Sequence, residues 1–119
     1  MNSTIQPAAD RFGLTPSQRQ QVALILETLA DRIERVAVFG SRAEDRYRTN
    51  SDLDLVLYGS VSEADCDRLW TLFQDSALPF SVDVKSYERI DYAPLRAHID
   101  AAARAWLVRS GLVLQEVLE

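Results

Sequence analysis

The chain is poor in several things, and each shortage closes off a class of protein. It has one cysteine, Cys66, in 119 residues, so no disulfide can form within the chain, in keeping with a reducing compartment. It has one histidine, His98, and with a single thiol beside it a structural zinc site lacks ligands. Basic residues are outnumbered, 13 Lys and Arg against 18 Asp and Glu, for a net charge of −5. A broad nucleic-acid footprint needs clustered cations and is not expected. No apolar run reaches the roughly 18 to 20 residues that span a bilayer. The opening "MNSTIQPAADRFG" has no basic stretch leading into an apolar one, so it does not read as a secretory signal. The expected location is cytoplasmic, with no membrane partner. Internal repeats and low-complexity tracts are missing too.

What remains is 47% hydrophobic and 26% charged, the composition of a soluble globular protein of one domain. Residues 1–13 are polar without sustained periodicity and read as a flexible leader; residues 14–119 read as the single domain. "TPSQRQQVALILETLADRIE" predicts a helix over 15–34. Thr15 caps it, Pro16 suits its first position, and Gln18 completes a capping box. Val22, Ile25, Leu26, Leu29 and Ile33 share a face at helical spacing.

"RVAVFG" is a short β-branched run ended by Gly40 and predicts a strand. Ser41 to Ser51 is charged, lacks an apolar period and reads as a loop. "DLDLVLYG", 52–59, alternates and then turns continuously apolar, as a central strand does. A helix is expected over 60–77, capped by Ser62, with Leu69, Trp70, Leu72 and Phe73 on its apolar face. "FSVDVKSY", 80–87, alternates as a third strand. A second long helix is expected over 91–111, stopped by Gly111 with Arg109 in its last turn; Trp106 would lie on its apolar side. The tail, 112–119, suits either a short edge strand or a frayed helix. The order α-β-β-α-β-α implies an α+β fold, a small mixed sheet with helices mainly on one face. The β-loop-β link suits a hairpin with a long functional loop.

Chemistry concentrates at the acids. Side chains at i and i+2 of a strand project from one face, so Asp52 and Asp54 sit side by side while Leu53 and Leu55 enter the core. Like charges this close raise one pKa unless something positive intervenes. Mg²⁺ would resolve this, since it takes oxygen ligands from one or two carboxylates plus phosphates and water. Two solvated acids on an exposed strand face is the plain alternative. Gly40 lets the backbone approach a ligand closely. Ser41 adds a hydroxyl, and the N–H groups of such a turn can form an anion nest. Asp83, outward between Val82 and Val84, would join as a third carboxylate if its strand pairs beside 52–59. Such a cluster suits two-metal phosphoryl transfer. Lys85 shares the face of Asp83 and suits either pairing with phosphate or an aspartate, or simple solvation.

Gly40-Ser41, ten residues, then Asp52-x-Asp54 and an acid on a later strand resembles the nucleotidyltransferase superfamily that includes DNA polymerase beta. The small size is similar to its minimal nucleotidyltransferase (MNT) group, over about residue 20 to the C-terminus. The resemblance implies the nucleotidyltransferase fold and a Mg²⁺-dependent enzyme. Asp52, Asp54 and Asp83 match the metal-binding and catalytic carboxylates, holding two ions, with Asp83 helping to activate the attacking hydroxyl. Gly40 and Ser41 match the triphosphate turn, and Arg42 and Lys85 are expected beside the nucleotide. The implied reaction passes a nucleoside monophosphate, AMP from ATP, to a hydroxyl of a protein partner (AMPylation). The implied setting is antitoxin of a HEPN/MNT toxin–antitoxin system, in a hetero-oligomer with a HEPN ribonuclease toxin. A non-catalytic antitoxin that acts by occlusion is the alternative. The chain departs from the group in one place: "GSRAED" stands where many members continue Gly-Ser-x-Ala-Arg-Gly, so Glu44 and Asp45 replace a cation and a glycine. Arg42, Arg46 and Arg48 are candidates to restore the charge. His98 and Cys66 read as ordinary helix residues.

Overall fold

A computed structural model of the chain describes residues 10–117. The first helix, α1, runs Pro16–Leu26. Its capping box forms as expected: Gln18 N–H donates to Thr15 Oγ1 at 3.1 Å and Thr15 N–H to Gln18 Oε1 at 3.0 Å. Next come β1 (Ile33–Phe39), β2 (Leu53–Gly59), α2 (Glu63–Gln74), β3 (Val82–Ser86) and α3 (Ala93–Ala102). The chain closes with β4 (Arg104–Ser110) and β5 (Val113–Glu116). The five strands form one sheet in the order β3-β2-β1-β4-β5. Only the β2–β3 pair is parallel, as the α2 crossover between them allows.

This is the α+β architecture expected, with three local differences. The first helix is shorter than 15–34: a 3₁₀ turn at Glu27–Leu29 ends it, and Ile33 opens β1. The long helix over 91–111 stops at Ala102, and "RAWLVRS" is a strand. Alanine-rich sequence favours a helix locally, but Trp106, Leu107 and Val108 supply a β-type run that pairs with β1. Around Trp106 the register shifts, with Val36 opposite Leu107 and Ala37 opposite Ala105. Gly111 (φ +66°) therefore sits in the hairpin between β4 and β5 rather than at a helix end. Third, the helices divide between the faces. α1 and α2 cover the main core with Val22, Leu26, Leu69 and Phe73 over Val38, Leu53, Leu55 and Leu57. α3 lies on the other face, where Ile99 joins Ala37, Phe39 and Val56.

Residues 10–13 of the expected leader also belong to the fold. Phe12 is buried and meets Trp106 edge-to-face, ring centroids 6.3 Å apart. Residues 1–9 lie outside the described residues. No helix among the described residues is long and apolar enough to cross a membrane.

The two tryptophans give a direct check of this arrangement. Trp106 is fully buried and its indole N–H donates to Glu116 at 2.8 Å, whereas Trp70, expected on an apolar helix face, is 53% exposed. Trp106→Ala should cost about 3–5 kcal/mol in denaturant unfolding. Trp70→Ala should stay within about 0.5 kcal/mol.

Candidate active site

The site is set by strand register. In the parallel β2–β3 pair Asp54 lies opposite Asp83 and Val56 opposite Lys85, and paired residues project to the same side. Asp54, Val56, Asp83 and Lys85 thus share the face that α3 partly covers, while Leu53, Leu55, Val82 and Val84 enter the main core. The register thus sets Asp83 beside Asp54, as the alternation predicts, whereas Asp52 lies outside the strand expected to carry it. Asp52 is exposed, one residue before β2, and Asp54 is half-buried. Among the described residues neither has a side-chain hydrogen bond or an ion pair.

Burial is the largest influence on Asp54 and pushes its pKa up; the charges of Asp83 and Asp52 push the same way, with Lys85 in partial opposition. Asp83 instead turns its carboxylate to Lys85 Nζ, 3.4 Å away. Among the described residues no three His, Cys, Asp or Glu side chains are gathered closely enough to hold a metal, so the expected three-acid ligand set is not ready-made. Repulsion and the available ammonium account for this: Asp83 takes the nearest cation. Asp52 and Asp54 still fit a hard divalent ion, which needs only one or two carboxylates and fills its shell with water and phosphate. An uncompensated, half-buried carboxylate flanked by two others is the observation that supports the fit.

β1 pairs antiparallel to β2 with Phe39 opposite Asp54, so the chain leaves β1 beside that carboxylate. Gly40 (φ +74°) makes the exit, and a Cβ there would overlap the Asp54 carboxylate. Only glycine serves both demands. Ser41 comes next, in a 3₁₀ turn, Gly40–Arg42, whose carbonyls accept from Ala43, Glu44 and Arg46 N–H. The turn expected to cradle phosphate is therefore next to the carboxylates in space.

The arginines do not fill the place expected of them. Arg42 is fully buried and its guanidinium donates to the carbonyls of Phe12, Thr49 and Ser51, so it does not face a nucleotide. Arg46 bends back to Glu44 at 3.1 Å, and Arg48 is exposed. Glu44 also lies 3.5 Å from His98 Nε2, linking this loop to α3; the helical pattern around His98 gave no sign of that contact. Asp45 has φ +57°, the left-handed conformation, at the position where the resemblance to the MNT group implies glycine.

Both Asp45 and Asp54 hold the fold at a cost that mutation can expose. A non-glycine residue in the left-handed region costs roughly 1–2 kcal/mol, somewhat less for aspartate, so Asp45→Gly should raise the thermal midpoint by an amount worth about 1 kcal/mol. For Asp54 the raised pKa means that the folded chain gives up its proton at higher pH than the unfolded chain. Ionisation therefore costs the fold at neutral pH, and the cost disappears below the ordinary carboxylate range. In metal-free buffer Asp54→Asn should unfold at a higher temperature than wild type at pH 7. That gain should shrink to nothing as the pH falls below the usual aspartate value.

The match to known proteins agrees with this geometry. Residues 20–106 match the family model described as "Polymerase beta, Nucleotidyltransferase", a span that takes in every residue of the site. No curated protein matches the chain. A toxin–antitoxin crystal structure with AMP-PNP is 17% identical, with a TM-score of 0.61 over 72% of this chain and 69% of that one. A mutant of the toxin–antitoxin MntA-HpeT is 14% identical, with a TM-score of 0.61 over 77% of this chain and 73% of that one. A putative nucleotidyltransferase from Sulfolobus solfataricus is 17% identical, with a TM-score of 0.50 over 96% of this chain and all of that one. At these identities the structures speak to the fold, and the family model carries the assignment: the chain belongs to the polymerase beta nucleotidyltransferase family.

Proposed function

We propose that the protein is a Mg²⁺-dependent nucleotidyltransferase that moves a nucleoside monophosphate, AMP from ATP, onto a hydroxyl of a protein partner. The observation that carries this reading is the Asp54–Asp83 register with Gly40 packed against Asp54. It supports reading this one patch as a cation site, a phosphate-approach point and a base. Phosphoryl transfer asks little covalent chemistry of a protein beyond positioning and charge neutralisation. The attacking hydroxyl oxygen bonds to the α-phosphorus, the bond from that phosphorus to the bridging oxygen breaks, and pyrophosphate leaves. Asp83, exposed and on the edge strand, takes the hydroxyl proton. Lys85, beside it, neutralises charge on Asp83 or on phosphate as the triphosphate enters. Gly40 admits the phosphates close to the backbone and Ser41 offers them its hydroxyl. Asp52 and Asp54 would hold the divalent ion, which when bound supplies charge stabilisation at the phosphate oxygens.

The partner reading is that of an antitoxin. The neighbours of known structure include toxin–antitoxin assemblies, one with AMP-PNP, and the resemblance to the MNT group points to a HEPN ribonuclease toxin as the hydroxyl donor. A second reading, neutralisation by occlusion without catalysis, is favoured by one observation: the three acids are not pre-gathered. The two separate on incubation of the chain with Mg²⁺-ATP and its proposed HEPN toxin partner. Transfer predicts that the toxin gains the mass of one nucleoside monophosphate less one water. Asp54→Ala should lower the rate about 10²–10³-fold, the loss typical of an essential electrostatic group, and should release toxicity. Unmodified toxin that is still neutralised by Asp54→Ala would establish occlusion instead.

A further inference from the structure

Arg42 is fully buried, and among the described residues no carboxylate pairs with it. A guanidinium taken out of water is costly unless its N–H groups are satisfied, and here backbone oxygens do this. Nε and Nη2 both donate to the Ser51 carbonyl, at 3.0 and 2.8 Å; Nη2 also reaches Thr49 O at 3.1 Å, and Nη1 reaches Phe12 O at 2.9 Å. The Phe80 ring, just ahead of β3, lies 4.8 Å from the guanidinium carbon. One side chain thus joins the turn after β1, the end of the 43–51 loop, the segment before α1 and the entry to β3.

The Ser51 oxygen is the informative target. It belongs to the same planar peptide unit as the Asp52 N–H, so two N–H groups fixed on that oxygen set the plane from which Asp52 projects. Residues 44–50 are all exposed. On its C-terminal side Asp52 is held by the sheet, where Leu53 N–H donates to Ser81 O at 2.9 Å; on its N-terminal side the local bonds are the 3.0 Å bond from Ser51 N–H to Arg48 O and the 2.7 Å bond from Arg48 N–H to Ser51 Oγ. The last two bonds close the loop on itself. Arg42 ties this N-terminal side of Asp52 to the turn after β1, because it is the last residue of the Gly40–Arg42 turn. We infer that Arg42 is a positioning residue, which fixes Asp52 through the Ser51 carbonyl and so holds the phosphate turn and the cation-binding carboxylates in one frame. This rests on the reading of Asp52 and Asp54 as cation ligands. Lysine, a point charge without a planar fork, cannot bridge the same three oxygens.

The test is Mn²⁺ titration of the nucleotide-free chain, compared among wild type, Arg42→Lys, Asp52→Asn and the double variant. Residues that orient metal ligands typically contribute about 10–100-fold in affinity, and Arg42→Lys should lose that much. On the Asp52→Asn background it should lose nothing more, because a residue that acts through Asp52 has nothing left to position. Unchanged Mn²⁺ affinity in folded Arg42→Lys, or a loss that adds in full to that of Asp52→Asn, overturns the inference. If Arg42→Lys does not fold, Arg42→Gly with added guanidinium ion replaces it. Mn²⁺ affinity that returns with guanidinium supports the inference; recovery of circular dichroism without Mn²⁺ binding, or recovery of neither, overturns it. A wild-type chain that binds no Mn²⁺ sinks the cation-site reading itself, an outcome distinct from failure of Arg42 alone.

Discussion

The site depends on one electrostatic constraint: the parallel β2–β3 register sets Asp54 against Asp83, with Asp52 two residues away. Like charges at this separation must be protonated, paired or bridged. The fold relieves one of them, giving Asp83 the ammonium of Lys85. It leaves Asp54 half-buried without a cation of its own. A protein under selection for stability alone would not keep such a carboxylate, since burying a charge unpaired is among the costlier things a core can do. The same unrelieved charge makes the patch attractive to a divalent ion and, through it, to a triphosphate.

The rest of the molecule can be understood as scaffolding for that patch. The main core under α1 and α2 anchors β1 and β2 with Val38, Leu53 and Leu55, so the backbone that carries Asp54 is among the best-held parts of the chain. α3 covers only the middle of the opposite face through Ile99 and Val56. Gly40 brings the phosphate turn against Asp54, and Arg42 locks that turn to the loop that ends at Asp52. Positioning is where phosphoryl-transfer enzymes gain most of their rate, so a buried arginine that contacts no substrate still matters to the chemistry.

Much of this was legible in the sequence, for physical reasons. The alternation "DLDL" determined which side Asp54 faces because the side-chain period of a strand is two. "VDVK" determined the placing of Asp83 and Lys85 in the same way, and the capping box marked α1. The failures are equally specific. The segment with Ala101, Ala102 and Ala103 reads as helix on propensity, yet the conformation of residues 104–110 is decided by pairing to β1, a long-range contact invisible to local pattern. Arg42 looked like a phosphate ligand because it adjoins Gly-Ser. Its actual partners are carbonyls of Phe12, Thr49 and Ser51, and backbone oxygens leave no mark in sequence. Asp45 stands where the resemblance to the MNT group implies glycine, and its positive φ is a conformation that glycine adopts most readily.

The most direct measurement of the central claim is a crystal structure of the chain with Mn²⁺ and a non-hydrolysable ATP analogue, the metal located by anomalous scattering. The account predicts an anomalous peak bound by the Asp52 and Asp54 carboxylates, with the triphosphate against Gly40 and Ser41 and Asp83 facing the α-phosphorus. Triphosphate and metal bound away from Asp54, or no ordered metal at saturating Mn²⁺, would contradict it.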